Sequence, residues 1–506
     1  MQPRYYIIES QTSAKLPASI REATAADFER TARGHWQTDW RTDFIQDAVL
    51  DKYALELDAT KELVGLAAYR DMPEGVLVYV EYMESAPSRN PTLSQPRKYA
   101  GIGAALASAR HGAKTLLVEQ YAFLGGMWTA GMVIPIWDWE NKGGIMQELV
   151  DGLRETGSTS MSGPLLGFDI EAMKLLLDRK LTKSGAELLF HTTFAFPLME
   201  GSRVCGVIVE NKSGRQAYRA GCVIDCTGDG DVAARAGAPF RIGRDADGAV
   251  QPMSLMFKLG EMDYVQAMDY SAGPLKTTDL FFHMEHAAQA AGLKDYAFNF
   301  DRPYILTLPT PHQGIAEMTH VRGKSALDAR QLSDAELEGR ELVHEAMTFF
   351  TSYMPQFRHA ILEQTAPTIG IRESRRILGE YELTLDDLLT GRRQPDGVCE
   401  CAFNVDIHQP DGLSQEGYEY RVHPYHIPYR CLLPKQVEGL LVAGRCISGS
   451  YEAHASYRVT GDCVAMGQAA GTAAALAAAG GVTPRALNAS ELVQALRADG
   501  VRNLDH

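Results

Sequence analysis

The sequence predicts an α/β protein organised around a dinucleotide-binding unit. The first indication is an Ala-rich helix over residues 102–111, followed by a short apolar strand that ends at Glu119. Glu119 follows Gly101 by 18 positions, near the spacing at which such units place an acid beside the adenosine ribose. The second indication is a pair of distant apolar strands, 223–226 and 440–443, that each run into a glycine-containing turn.

The stretch before Gly101 lacks the first half of this unit. With Gly101 as the third glycine of a G-x-G-x-x-G fingerprint, the first two positions fall on Pro96 and Lys98. Residues 89–95 are also too polar and turn-prone for a buried parallel strand. Two outcomes are open: strand 76–82 fills the missing position through an unusually long loop, or, as we favour, it stays with the N-terminal strands.

Residues 1–96 form a separate segment in this interpretation. Residues 20–24 predict a strand that leads into a helix capped by Thr24, and 63–69 and 76–82 predict two further strands. This order resembles the first half of a GNAT-type acetyltransferase, whose pyrophosphate-binding loop is loosely matched by residues 98–103. The resemblance ends near residue 106, so it implies only a truncated GNAT-like α/β half-domain.

A different resemblance holds from Gly101 to about residue 480. The segments 123–127 (FLGGM), 227–231 (TGDGD) and 441–448 (LVAGRCIS) are similar to motifs of the FAD-dependent oxidoreductase family related to the fumarate-reductase-type flavoproteins. Four more matching segments lie at 251–256, 370–376, 427–430 and 467–474. Several distant motifs in the right order are a specific signal. They imply a Rossmann-like FAD-binding domain that is discontinuous in sequence and carries an inserted substrate or cap domain.

The predicted domain boundaries follow from these two resemblances and from composition. Residues 246–420 are less periodic and richer in His, Tyr and Pro than their surroundings, which favours an inserted domain. The full division is 1–96 for the GNAT-like segment, 97–245 and 421–490 for the two parts of the FAD-binding domain, 246–420 for the substrate or cap domain, and 491–506 for a tail.

The family resemblance implies FAD as the cofactor and assigns parts of its site. Glu119 takes the ribose role, the backbone at Phe194 contacts adenine, and the glycine-rich helix after Arg445 directs its N-terminal dipole at the flavin pyrimidine edge. The predicted cofactor-binding residues are Gly101, Glu119, Gly125, Gly126, Thr129, Phe194, Thr227, Gly228, Asp229, Gly444, Arg445 and Gly471.

The candidate catalytic residues are histidine and arginine side chains that could act on a substrate beside the flavin. The protein must present a substrate near flavin N5 and move protons, because the flavin carries the electrons. Histidine titrates near neutrality and arginine can clamp a carboxylate, so we predict catalytic roles for His454, His408 and Arg372, each near a family motif. A structural hydrogen-bonding role for either histidine, and a buried salt bridge for the arginine, remain open alternatives.

Composition narrows the classes of partner. A formal net charge of −15 argues against nucleic acid or an anionic membrane, which leaves a small-molecule substrate and a possible homo-oligomer. The 8 cysteines contain no C-x-x-C pair and the N-terminus predicts no signal peptide, so we expect reduced thiols in the cytoplasm and no metal. The spacing of Cys399 and Cys401 keeps a redox or metal role open for that pair. The Ala- and Gly-rich run 464–479 predicts a tightly packed helix instead of a membrane span.

Two hypotheses about function follow. In the first, the chain is a working flavoenzyme that acts on a small organic molecule. In the second, a join near residue 101 has produced a fusion with an impaired FAD site, leaving a scaffold or pseudoenzyme. A residual acetyl-CoA-binding acetyltransferase is the least favoured alternative, because nothing after residue 106 resembles the remaining strands of that fold.

Overall fold

The computed structural model describes residues 5–8, 15–22, 24, 51–57, 63–69, 82–85, 100–162, 165–262, 277–293, 298–299, 304–412, 415–416 and 420–505. At the N-terminus, five strands form one antiparallel sheet in sequence order: β1 Tyr5–Ile8, β2 Lys15–Glu22, β3 Asp51–Leu57, β4 Leu63–Tyr69 and β5 Tyr82–Ser85. The predicted strand 63–69 is confirmed. The predicted helix after Thr24, most of strand 76–82, and both Pro96 and Lys98 lie outside the described residues. The acetyltransferase likeness stays a prediction.

The remaining helices and strands are interspersed along the chain. The helices are α1 Ala100–Arg110, α2 Gly144–Glu155, α3 Ile170–Ser184, α4 Asp231–Arg235, α5 Thr277–Ala290, α6 Ala329–Tyr353, α7 Leu385–Thr390, α8 Tyr451–Tyr457, α9 Thr460–Ala479 and α10 Ala489–Ala498. Short 3-10 turns lie at Gly126–Trp128, Pro355–Phe357, Tyr429–Leu432 and Pro484–Ala486.

The strands of this region are short. They are β6 Leu116–Val118, β7 Thr159–Ser162, β8 Leu165–Phe168, β9 Glu187–Leu189, β10 Thr193–Glu200, β11 Arg203–Asn211, β12 Gly214–Arg219, β13 Val223–Asp225, β14 Phe240–Ile242, β15 Phe257–Gly260, β16 Tyr304–Thr307, β17 Gly314–Glu317, β18 Ile361–Thr365, β19 Arg375–Ile377, β20 Gly397–Cys401, β21 Ile407–His408, β22 Gln415–Glu416, β23 Tyr425–Pro428 and β24 Leu440–Val442.

The parallel strands form two separate pairs among the described residues. β6 pairs with β9, and β13 pairs with β24. The predicted gap in the first half of the unit falls on residues 89–98, which lie outside the described ranges. Residue Tyr82 pairs with Ala68 in the N-terminal sheet, as expected if strand 76–82 stays with that sheet.

Helices α1 and α9 pack against each other at backbone distance. A Cβ atom added to Gly467 would lie 2.1 Å from the Ala100 carbonyl oxygen, and one added to Gly471 would lie 2.2 Å from the Ala104 carbonyl oxygen. Glycine is therefore required at both positions to let the two helices approach. The Ala- and Gly-rich run is a packed internal helix, and no helix in the described part of the chain is long and apolar enough to cross a membrane.

Residues 246–420 contain a four-stranded antiparallel sheet in the order β16-β17-β15-β18, with the long helix α6 beside it. One hydrophobic core joins this sheet to α1, α2 and α3, for example through Phe257, Ile315, Leu149 and Leu177. A second core surrounds the pair β13–β24 and helix α9. The first core includes residues on both sides of position 245, so it does not mark a boundary there. The predicted domain boundaries stay predictions.

Candidate functional site

Two glycine-containing turns that are distant in sequence meet at the carboxyl ends of β13 and β24. The strands are parallel neighbours, with Asp225 opposite Val442. The Arg445 guanidinium bonds the Asp229 carboxylate at 2.9 Å, and both side chains are buried. In parallel sheets, ligands bind where strands end at this edge. The structure thus brings together the segments 227–231 and 444–448 that the sequence analysis assigned to one site.

Asp225 fixes the shape of the first turn. Its Oδ1 accepts hydrogen bonds from the Thr227 backbone N at 2.9 Å and hydroxyl at 2.7 Å, while Oδ2 accepts from the Ala233 backbone N. The Thr227 hydroxyl also accepts from the Asp231 backbone N at 2.9 Å. Gly228 has φ 79°, in the region that favours glycine. Sequence reasoning missed Asp225, although a carboxylate at the end of an apolar strand was a usable signal.

The segment 370–376 ties this turn to its surroundings. Ser374 donates to Asp229 at 2.5 Å, and Arg375 pairs with Asp231 at 2.8 Å. Burial, together with the nearby Asp229 and Asp225 charges, raises the pKa of Asp231 to about 6. Two fully buried residues of the same segment, Glu373 and Arg376, form an ion pair. Burial raises the pKa of Glu373 to about 7, although Arg376 opposes that rise.

Arg372, a predicted catalytic residue, is used as a cross-link. Its Nη1 donates to the Pro252 carbonyl oxygen at 2.9 Å and to the Ser254 hydroxyl at 2.8 Å. Its Nη2 pairs with Glu317, which also accepts a hydrogen bond from Tyr304. The guanidinium thus links strand β17 to segment 251–256. This is the buried salt-bridge alternative that the sequence left open.

His408, a second predicted catalytic residue, lies in a directed hydrogen-bond chain. Arg322 Nη2 lies 3.0 Å from His320 Nδ1, and His320 Nε2 lies 2.8 Å from His408 Nδ1. Since arginine only donates, His320 accepts at Nδ1, carries its proton on Nε2, and donates it to His408. His408 then carries its proton on Nε2, which faces the Asp406 carboxylate at 3.4 Å.

Both histidines of this hydrogen-bond chain are neutral. Burial and then Arg372 lower the pKa of His408 to about 4. Burial, followed by the neighbouring His408 and Arg372, holds the pKa of His320 well below its ordinary value. Both ring nitrogens of His408 have partners, so direct proton exchange with a substrate requires the chain to open. His320 was missed because no local pattern marks it, and only the fold brings it to His408.

His454, the third predicted catalytic residue, has a free ring nitrogen. It is buried on α8, and its Nδ1 has no hydrogen-bond partner among the residues that the structure describes. Burial, followed by the charges of Arg458, Arg376 and Arg445, holds the pKa of His454 well below its ordinary value. The imidazole is therefore neutral at neutral pH, and its Nδ1 can take part in a hydrogen bond with a ligand.

Three other buried polar atoms near His454 also lack partners within the described ranges: Tyr451 OH, Arg458 Nε and Gln251 Nε2. Tyr451, His454 and Arg458 are spaced three and four positions apart along α8 and its C-cap, which places them on one face. Gln251 reaches this face through its Oε1, which accepts from Arg458 Nη2 at 3.4 Å. We call these four residues the α8 face.

Four of the predicted cofactor residues, Glu119, Gly125, Gly126 and Thr129, are buried. Glu119 is buried and accepts from the Tyr121 backbone N at 3.2 Å. Gly125 and Gly126 have φ values of 104° and 51°, and the buried Thr129 hydroxyl donates to the Leu124 carbonyl oxygen at 2.6 Å.

Three further predicted cofactor residues differ in their surroundings. The Phe194 ring lies 5.6 Å from the Arg235 guanidinium carbon. Gly101 is buried within α1. Gly471 lies at the contact between α1 and α9, so its surroundings in the structure are those of a packing residue.

A second buried polar cluster surrounds Lys142. Its ammonium lies 2.7 Å from Asp138 and 2.6 Å from Asp462, and it donates to the Glu400 carbonyl oxygen. The ligand atoms of Asp138, Cys401 and Asp462 lie within 4.8 Å of one another. Lysine supplies the positive charge that a metal ion would bring to these acceptors. Burial raises the pKa of the Cys401 thiol well above its ordinary value, so it is not a reactive thiolate.

Comparison with known proteins adds one family match. A family model described as FAD dependent oxidoreductase matches residues 98–496 of the 506. No curated protein matches the chain.

Three of the solved structures that match the chain are each 12% identical to it. The OxyS anhydrotetracycline hydroxylase from Streptomyces rimosus has a TM-score of 0.39, with 79% of this chain and 63% of that chain covered, so the match spans less than two thirds of the hydroxylase. The flavin-dependent brominase Bmp2 has a TM-score of 0.43, with 80% and 81% covered. A geranylgeranyl bacteriochlorophyll reductase-like protein from Thermoplasma acidophilum has a TM-score of 0.38, with 80% and 81% covered. Likenesses at this level do not define a substrate.

Proposed function

Since the chain belongs to the FAD-dependent oxidoreductase family, we propose that it oxidises or reduces a small organic substrate by hydride transfer to or from flavin N5. The observation that carries this proposal is the buried Asp229–Arg445 ion pair, which unites two turns at the carboxyl ends of neighbouring parallel strands. The family membership favours a working enzyme over the scaffold and acetyltransferase alternatives.

The residues present fit FAD. Buried hydroxyls of Ser448 and Thr460 lack partners in the described part of the chain, as expected beside a polar ligand. We assign the cofactor to Gly101, Glu119, Gly125, Gly126, Thr129, Phe194, Thr227, Gly228, Asp229, Gly444 and Arg445. Gly471 is left out of this set because its place between α1 and α9 accounts for it.

The protein's own contribution is proton handling, orientation and exclusion of water. Bound FAD supplies two-electron chemistry. We assign proton transfer with the substrate to His454, because its Nδ1 has no partner in the described ranges and its imidazole is neutral. We assign positioning roles to His408 and Arg372, since their polar atoms are held by Asp406, His320 and Glu317.

The test is an absorbance spectrum of the purified protein. Flavin bands near ~450 nm and about one FAD released per chain on denaturation are the expected result, since cofactor capture is the first duty of such a site. A colourless folded protein that ignores added FAD overturns the proposal, and saturable acetyl-CoA binding by that protein would revive the acetyltransferase alternative.

A matched pair of variants locates the cofactor. Gly444 has φ 95° and Gly237 has φ 93°, so alanine strains both backbones alike. A Cβ at position 444 would meet Ala100 Cβ at 3.4 Å, whereas position 237 has nothing within 4 Å. We expect Gly444→Ala to weaken FAD binding about tenfold or more and Gly237→Ala to leave it unchanged. Equal FAD affinities in the two variants would remove Gly444 from the site.

A further inference from the structure

The α8 face presents four buried polar atoms that protein groups do not satisfy. They are Tyr451 OH, His454 Nδ1, Arg458 Nε and Gln251 Nε2, and none has a partner among the described residues. A buried polar atom without a partner costs about 1–3 kcal/mol, and such groups are rare in native proteins. Four of them on adjoining residues indicate a place where a ligand completes the hydrogen bonding.

The chemistry of these atoms selects the complementary group. Gln251 Nε2 and Arg458 Nε can only donate, whereas the Tyr451 hydroxyl and the neutral His454 ring can donate or accept. The Gln251 amide is fixed in this orientation, because its oxygen already accepts from the His408 backbone N at 3.0 Å and from Arg458 Nη2 at 3.4 Å. The ligand group that fits two obligate donors is an oxygen acceptor.

The surrounding charges decide between a neutral and an anionic oxygen. Above about pH 7, where Glu373 is ionised, each arginine near His454 has its own carboxylate: Arg458 has Asp406 at 3.5 Å, Arg445 has Asp229 at 2.9 Å, and the buried Arg376 has Glu373. No unspent positive charge remains for an incoming anion within this set. A carboxylate would be buried without a counterion, at a cost of several kcal/mol, whereas a neutral carbonyl meets the same donors without that cost.

We infer that the α8 face binds a neutral carbonyl group of the substrate, such as that of a ketone, an enone or a quinone. The inference rests on the proposed function, because it names the substrate class of the same site. In this inference the arginines near His454 do not bind a substrate carboxylate, which is a common role of buried arginines.

The test uses the FAD-loaded full chain and two pairs of probes with matched shapes, acetone with acetate and acetophenone with benzoate. Binding is followed as perturbation of the flavin absorbance bands. We expect saturable binding of at least one neutral ketone, with its matched carboxylate bound about tenfold more weakly or worse, equivalent to about 1.4 kcal/mol. Tighter binding of the carboxylates, or no binding of either ketone, overturns the inference. A protein without FAD instead overturns the proposed function.

Variants assign the binding to these residues. Gln251→Glu keeps the accepting oxygen and the size of the side chain but replaces the donating NH₂ by a second acceptor, so ketone affinity should fall about tenfold or more. Tyr451→Phe should also weaken ketone binding. Tyr457→Phe is the control, because that hydroxyl lies on the same helix but donates to the Ile447 carbonyl oxygen. Equal ketone affinities in all three variants and the wild type overturn the inference.

Discussion

The Lys142 cluster and the α8 face are both buried and polar, yet they are completed in opposite ways. The Lys142 ammonium has three acceptors, from Asp138, Asp462 and Glu400, which match its three N–H groups. The α8 face leaves four polar atoms without partners among the described residues. A cluster whose hydrogen bonds are all made within the protein stabilises the fold, whereas one with unpaired polar atoms can form hydrogen bonds with a ligand. The degree of satisfaction, more than burial or charge, therefore separates structural from binding sites in this protein.

Breaking the Lys142 cluster should have the largest effect on stability. Lys142→Met leaves the Asp462 and Asp138 carboxylates buried without a cation, which should cost about 3–5 kcal/mol of unfolding free energy. Chemical denaturation measures this loss. The control is Lys174→Met, which removes the exposed Lys174–Glu171 ion pair and the contact of Lys174 with the Phe123 ring and should cost under about 1 kcal/mol. Similar losses in both variants would show that the buried cluster is not a structural cross-link.

A substitution at Gly471 tests whether this predicted cofactor residue has a structural role or a binding role. Gly471→Ala places a methyl group 2.2 Å from the Ala104 carbonyl oxygen, so α1 and α9 must separate, at a cost of about 1–3 kcal/mol. We expect this loss in thermal unfolding of the apoprotein, with little change in FAD affinity of the folded fraction. Gly221→Ala, at a position with no neighbour within 4 Å, is the control. Unchanged stability with weakened FAD binding would return Gly471 to the cofactor site.

The pH dependence of stability should come from Glu373, whose carboxylate accepts a hydrogen bond from the backbone N of Gln251, a residue of the α8 face. Burial raises the pKa of Glu373 to about 7, above its unfolded value of about 4.3, so the folded state holds a proton that the unfolded state has lost. The resulting stabilisation is complete below about pH 4 and is lost as pH rises through about 7, with a magnitude of about 1–3 kcal/mol.

Unfolding free energies at pH 5 to 8 measure that loss. Glu373→Gln cannot ionise, so it should flatten this part of the pH profile. An unchanged slope in the Glu373→Gln variant would assign the pH dependence to other groups, of which Asp231, with a pKa raised to about 6, is the first candidate.

The smallest stability effect should come from an unsatisfied hydroxyl. Tyr451→Phe removes an OH group that has no partner in the described part of the chain, so stability of the apoprotein should change by less than about 0.5 kcal/mol. Tyr457→Phe breaks a hydrogen bond of 3.0 Å to Ile447 and should cost about 1 kcal/mol. Melting temperatures of the two apoproteins make the comparison. A larger loss in Tyr451→Phe would show that this hydroxyl has a structural partner.

Local patterns predicted several elements around the parallel strand pair β13–β24 and helix α1. The Ala-rich helix appears as Ala100–Arg110, and the family-like turns lie at the ends of β13 and β24 as expected. These features are readable because apolar runs, glycines and helix-forming residues act over a few positions. The sequence predicted cofactor binding for Gly471, whereas in the structure this residue contacts α1. A glycine that lets a ligand approach and one that lets a neighbouring helix approach look the same in sequence.

The sequence by itself determined the family, the cofactor and the three candidate catalytic side chains, because motif residues and their order are written along the chain. Only the tertiary structure decided how those side chains differ. It gave His408 partners on both ring nitrogens and enclosed Arg372 among Glu317, Pro252 and Ser254. It left His454 Nδ1 without a partner among the residues that the structure describes. The physical reason is that hydrogen-bond satisfaction depends on distant residues, such as His320 and Gln251, which folding brings within about 3 Å.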